Sequence, residues 1–345
     1  MTRFSVLDQS ATSAGRSDDA TLRNTIALAQ HCERLGYHRF WLAEHHNSPA
    51  NVGTAPEVLC AAIASVTHRI RVGSAGVLLT HYAPLKVAEV FRVLSAIAPG
   101  RIDLGVGRSP GGNAETVAAL NRGAPDVAHE EKVAELLRWL EHDGAAPEPE
   151  SVRAYPRPVA GPEPWMLGSS LRGATLAARH GLPFCFNFSH GTNYGLARQS
   201  LDAYRADYRP SREFPKPITS LSIWTLAAES TDEAERLFAP RAYWRVMLDR
   251  GIRWPMISPE LAMAERYTPA EQARIEEMRH YSVVGSVGDV SARLRTIAQA
   301  YAVDEIVLAT WTFDARDQWA SYRLLADALG FSEHKRTDDP SSHSS

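Results

Sequence analysis

The sequence predicts an α/β fold of the TIM type, a (β/α)8 barrel with insertions after strands 4 and 7. Three observations point to it. Short apolar runs alternate with stretches of helical period from almost the first residue. Eight such runs can be placed along 345 residues, and α/β barrels of that size are routinely single domains. Polar residues suited to chemistry gather where the runs end, which is where such barrels carry their active sites. An open, doubly wound sheet is the competing architecture. Asp8-Gln9-Ser10 stands where that fold needs a Gly-rich turn, which weakens it.

The first strand spans residues 4–7, and a loop rich in Ser, Thr and Gly follows. Asp18 or Asp19 is suited to cap the next helix, where Leu22, Ile26, Ala29, Cys32 and Leu35 recur at helical spacing until Gly36 ends it. The second strand, 39–43, leads into Glu44-His45-His46, and Pro56 opens a helix that runs to residue 67. The third strand, 70–79, holds Gly73-Ser74-Ala75-Gly76 in its middle. Small residues inside a strand mark a bulge or a close backbone approach. A helix from Pro84 ends at Pro99-Gly100, and the fourth strand, 101–106, runs into Gly107-Arg108-Ser109. The first insertion carries a helix over 130–141 and a Pro-rich loop.

Strands at 165–168, 183–188 and 218–227 follow, separated by helices over 171–180 and 197–208. Ser230-Thr231-Asp232-Glu233 matches a capping box. Residues 239–280 form the second insertion, poor in strand signal, with a helix start at Thr268-Pro269-Ala270-Glu271. A helix over 289–301, a strand over 305–310 and a helix over 314–329 complete the set. Residues 1–331 therefore read as one domain, and the polar 332–345 as a disordered tail.

The formal net charge is -3 and the positive residues are scattered, so no footprint for nucleic acid emerges. No segment approaches the length of a membrane span, and the first residues lack the apolar core of a signal peptide. Cys32, Cys60 and Cys185 are odd in number and far apart, fitting neither a disulfide framework nor a zinc site. They read as reduced core thiols in a cytoplasmic protein.

Four constellations are candidates for chemistry. In Glu44-His45-His46, neighbouring strand residues face opposite ways, so the two imidazoles do not readily share one ion. No other histidine pattern adds a metal site, and none is expected. A neutral imidazole held by a neighbour can instead act as acid or base near pH 7. In Gly105-Val106-Gly107-Arg108-Ser109, Pro110 replaces the third glycine of a dinucleotide fingerprint, and no P-loop lysine follows. What remains is an arginine at a strand end, suited to phosphate. Ser169 and Ser170 stand where a strand becomes a helix, and N-capping alone explains either. With Arg108 on the same barrel face, one phosphate shared by both explains the set. Ser74-Ala75-Gly76 leaves a gap that a flavin ring would fill, or forms a bulge that curves the barrel.

With Leu-Ala-Glu-His-His (42–46), Ile-Arg-Val-Gly-Ser-Ala-Gly-Val-Leu-Leu (70–79), Pro-Leu-Lys-Val-Ala-Glu (84–89), Pro-Gly-Arg-Ile-Asp-Leu-Gly-Val-Gly-Arg (99–108) and Leu-Gly-Ser-Ser (167–170), the chain resembles the bacterial luciferase-like flavin-dependent monooxygenases. Within them it is most similar to the single-chain luciferase-like oxidoreductases. The resemblance implies a TIM barrel and reduced FMN, bound loosely as a co-substrate, or in some branches F420. It places His45 at the family's active-site histidine, Ala75-Gly76 at its non-proline cis peptide behind the flavin ring, and Arg108 with Ser169 and Ser170 at its phosphate clamp. Gly107 stands where the light-emitting members have a reactive cysteine. Residues 184–190 depart from the pattern and are expected to line the substrate side.

The reaction so implied is monooxygenation. A separate flavin reductase supplies reduced FMN, O2 adds to give a C4a-peroxyflavin, and one oxygen passes to a small organic substrate. His45 is expected to act as acid or base there, with Glu44 orienting or polarising. F420-dependent hydride transfer on the same fold is the alternative. A non-catalytic flavin-binding protein and a metal-dependent hydrolase are the readings from other classes. The resemblance further implies a homodimer.

Overall fold

The computed structural model describes residues 2–122, 127–141, 152–188 and 193–331. The tail expected over 332–345 lies outside them. Nine strands and twelve α-helices are formed among the described residues. The first half holds β1 (Arg3–Asp8), α1 (Asp18–Leu35), β2 (Arg39–Leu42), α2 (Pro56–Val66), β3 (Arg71–Leu78), α3 (Pro84–Ile97), β4 (Ile102–Gly107), α4 (Ala114–Leu120), α5 (His129–Leu140), β5 (Glu163–Gly168) and α6 (Leu171–Arg179). The second holds β6 (Phe184–Asn187), α7 (Tyr194–Ala206), β7 (Thr219–Ala228), α8 (Thr231–Asp249), α9 (Pro259–Ala264), α10 (Pro269–His280), β8 (Val283–Ser286), α11 (Val287–Tyr301), β9 (Glu305–Ala309) and α12 (Ala315–Leu329).

All strand pairings are parallel. They run β1-β2-β3-β4-β5-β6-β7-β9 and back to β1, which closes an eight-stranded TIM barrel. The insertions fall after β4 and β7, as the sequence predicts. β8 was not foreseen there. It is four residues long, and it exists because β7 is ten residues long and extends beyond its pairing with β6 and β9. The first half of β7 pairs with β9, while Thr225–Ala228 leans outward onto β8.

Strand alternation sorts the core into two layers. Val6, Phe40, Leu42 and Leu308 face the helices, whereas Leu7, Trp41, Trp165, Cys185 and Val307 fill the barrel. A charged plug closes the end where the strands begin. Arg39 reaches Asp103 at 2.8 Å and Glu163 at 3.3 Å, and its Nε lies 2.9 Å from Glu305. Its guanidinium stacks 4.7 Å from the Trp165 ring centre. Trp41 and Trp165 donate their indole N–H groups to Asp103 and Glu163 at 2.9 and 2.7 Å. Chemistry at that end is blocked, so the opposite mouth is the open one.

Local signals work largely as expected, with two corrections. Ser17, not Asp18 or Asp19, caps α1, accepting from Ala20 N at 3.2 Å. The two aspartates occupy the first turn, where negative charge suits the helix dipole. Thr268 and Glu271 form both halves of a capping box. At Ser230 only the hydroxyl half forms, because the Glu233 carboxylate is taken by Arg236 at 2.8 and 2.9 Å.

Candidate active site

A cavity of about 780 Å³ opens at the C-terminal ends of the strands. Glu44, His45, Ala75, Gly76, Arg108, Ser169 and Ser170 all line it. Residues from four separate strand ends, β2 to β5, thus meet in one space.

One wall is made by β3. The pairing of β3 with β4 slips between Ser74 and Val77, and the Ala75–Gly76 peptide is cis. The bulge and the close backbone approach are both present. A Cβ at Gly76 would lie 2.6 Å from the Gly105 carbonyl oxygen, and one at Gly105 would lie 2.2 Å from that of Ser74. Only hydrogen fits at either position, so β3 and β4 meet backbone to backbone along this wall. A Cβ at Gly107, by contrast, would meet nothing within 4 Å.

Beside that wall sits an anion-ready corner. Arg108 is exposed and makes no hydrogen bond to a described residue. Ser170 caps α6 through Gly173 N at 3.4 Å, so the capping explanation holds for it; Ser169 makes no side-chain bond to a described residue. The start of α6 lines the same space, and a helix N-terminus suits an anion. His129, at the start of α5, lines the corner with a buried Nδ1 that has no partner among the described residues. Burial, then the charges of Arg108 and Arg172, bring its pKa down to about 4. The sequence reading missed His129, which sits on an insertion helix with no motif around it.

The β2 end departs from expectation in one respect. Glu44 makes no hydrogen bond to His45. Its Oε1 takes His46 Nε2 at 2.8 Å and the Tyr82 hydroxyl at 2.6 Å, and its Oε2 accepts Leu78 N at 2.9 Å. β2 ends at Leu42, so strand alternation no longer applies, and Glu44 turns toward β3 and pins its last turn. His45 is tethered only by its backbone, to Gly53 O at 3.1 Å. Its Nδ1 is buried without a partner among the described residues. Burial, then neighbouring His46, hold its pKa down at about 4. At neutral pH it is an uncharged imidazole with one nitrogen available to the cavity.

These two histidines have a consequence for stability. Unfolded, they take up protons near pH 6.5; folded, they do so only near pH 4. The unfolded state therefore binds more protons in that window, and stability is expected to fall as pH drops from about 6.5 to about 4, by up to about 1.4 kcal/mol per pH unit from His45 alone. Urea unfolding at pH 7 and pH 5 measures this. A His45→Gln, His129→Gln double variant is expected to flatten the slope.

A match to the luciferase-like monooxygenase family model covers residues 2–304. The chain is 39% identical to an uncharacterized Bacillus subtilis protein, YwcH, over 95% of this chain and 99% of that one. It is 36% identical to a Bacillus subtilis N-acetyl-S-alkylcysteine monooxygenase, over 95% and 98% of the two chains. The crystal structure of apo-MsnO8 superposes with a TM-score of 0.87 at 36% identity, covering 95% of this chain and 98% of that one. Two more distant structures share the fold: the oxygenating constituent of 3,6-diketocamphane monooxygenase from a Pseudomonas putida plasmid, in complex with FMN (TM-score 0.71, 19% identity, 95% and 98% covered), and an F420-dependent secondary alcohol dehydrogenase (TM-score 0.65, 14% identity, 95% and 99% covered).

Proposed function

The chain belongs to the luciferase-like monooxygenase family, and we propose that it uses reduced FMN and O2 to oxygenate a small organic substrate. The observation that carries this reading is the meeting, in one cavity, of a glycine-built backbone wall with a corner where Arg108 and Ser169 have no side-chain partner among the described residues. A flat ring with a phosphate tail is complementary to both. Reduced FMN, when bound, supplies the electrons that activate oxygen.

The remaining roles fall to side chains of this protein. Arg108, Ser169 and the α6 start would hold the phosphate. Ala75 and Gly76 would leave room for the ring. His45 would offer a neutral hydrogen-bonding nitrogen to the reacting oxygen atoms, and Glu44 would fix the loop that carries it. Trp41, Met166 and Trp224 on the cavity floor would exclude water. A separate reductase would deliver the flavin. An F420 cofactor, with its longer acidic tail, would need cations beyond Arg108. Arg172 is already paired with Glu130 at 2.9 Å, which favours FMN. The N-acetyl-S-alkylcysteine monooxygenase relative makes S-alkyl thioethers the first substrates to try.

Anaerobic titration with reduced FMN and reduced riboflavin tests this. Arg108→Ala is expected to weaken FMN by about 10- to 100-fold, the worth of one charge-assisted hydrogen bond, and to leave riboflavin unchanged. Absence of saturable flavin binding, or equal loss for both flavins, would remove the proposal.

A further inference from the structure

The cavity has a second cationic end. β3 and β7 are four places apart in the ring of eight, so they face each other across the barrel. On the β7 side, Trp224, Arg241, Trp244, Arg245 and Trp311 line the space. The Arg241 guanidinium carbon lies 4.2 Å from the Trp224 ring centre, and one of its nitrogens donates to Ser282 Oγ at 3.0 Å. No carboxylate of a described residue offsets its charge. The charged neighbour is Arg245, itself bound to Asp249. Burial and Arg245 lower the Arg241 pKa to about 9, which leaves it a cation at neutral pH.

Two further donors share this end. The indole nitrogens of Trp224 and Trp311, residues 6% and 7% exposed, are buried without a partner among the described residues. An indole N–H donates and cannot accept, so these positions ask for an acceptor. The Trp311 ring packs edge-on against Trp244 at 4.9 Å, which adds an apolar wall. An uncompensated cation, two donor-only groups and aromatic walls are complementary to an apolar body with an oxyanion head.

We propose that this end of the cavity binds the carboxylate of a small organic acid, with Arg241 meeting the anion and Trp224, Trp244 and Trp311 enclosing the rest. The inference rests on the flavin reading only in calling that acid the substrate; the binding itself needs no flavin.

Calorimetric titration of the full chain with N-acetylmethionine, phenylacetate and hexanoate, each beside its primary amide, is the test. At least one acid is expected to bind about tenfold or more tightly than its amide. That preference should shrink to about twofold or less in Arg241→Gln and return in part in Arg241→Lys, with FMN affinity unchanged in both. Equal binding of acid and amide, binding of neither, or a preference that survives Arg241→Gln overturns the inference. If the wild type distinguishes acid from amide yet binds no FMN, this inference stands and the flavin reading falls.

Discussion

Replacing His45 with alanine is expected to slow substrate oxygenation by about 10²- to 10⁴-fold, the usual range for a lost proton-handling group. Flavin affinity should change little, because the side chain faces the cavity rather than the phosphate corner. The measurement is product formed per reduced flavin, with a flavin reductase and a thioether acid supplied, alongside the hydrogen peroxide released. Oxygen consumption should persist while product falls. The pKa near 4, set by burial and His46, also predicts a pH profile flat in this residue from about pH 5.5 upward. His45→Gln keeps a donor and should recover part of the rate. If His45→Ala makes product as fast as wild type, the role assigned to this imidazole is wrong.

Arg39→Met is expected to lower the unfolding free energy by about 3–5 kcal/mol, because it strands buried carboxylates without their cation. Asp103 and Glu305 are almost fully buried, and Arg71 compensates only Asp103 and the partly exposed Glu163. Burial already raises the Glu305 pKa against the pull of Arg39. Without that pull the carboxyl would hold its proton more readily still, so the variant gains more from protonation than the intact protein does. The deficit should therefore be smaller at pH 5 than at pH 8, read from urea midpoints. A loss below about 1 kcal/mol at pH 8, the scale of an exposed ion pair, would mean that the plug is dispensable.

The barrel was legible because short apolar runs alternate so regularly with helical stretches, and because parallel strands force the chain through crossover helices. The candidate residues were legible because they stand at strand ends, where side chains must turn toward the mouth. Other features depended on three-dimensional neighbours. Whether Glu44 serves His45 or His46 is decided by where β2 stops, one residue earlier than the apolar run suggests. β8 is too short to announce itself and is called into being by the overhang of β7. Arg241 looks like any helix arginine in sequence; only the fold shows that no acid among the described residues pairs with it. The capping box at Ser230 failed because a nearby arginine competes for Glu233.

The outward lean of β7 separates two tasks along the polypeptide. His45, Ala75, Gly76, Arg108, Ser169 and Ser170 all precede it, while Arg241, Trp244 and Trp311 come after the point where it parts from β9. A designer wishing to retool the acid-accepting end can exchange the stretch between β7 and β9, which carries Arg241 and Trp244, together with Trp224 in β7 and Trp311 just past β9. The residues proposed to hold the flavin would be inherited intact, and new specificities become a matter of grafting one segment with two matched tryptophan positions.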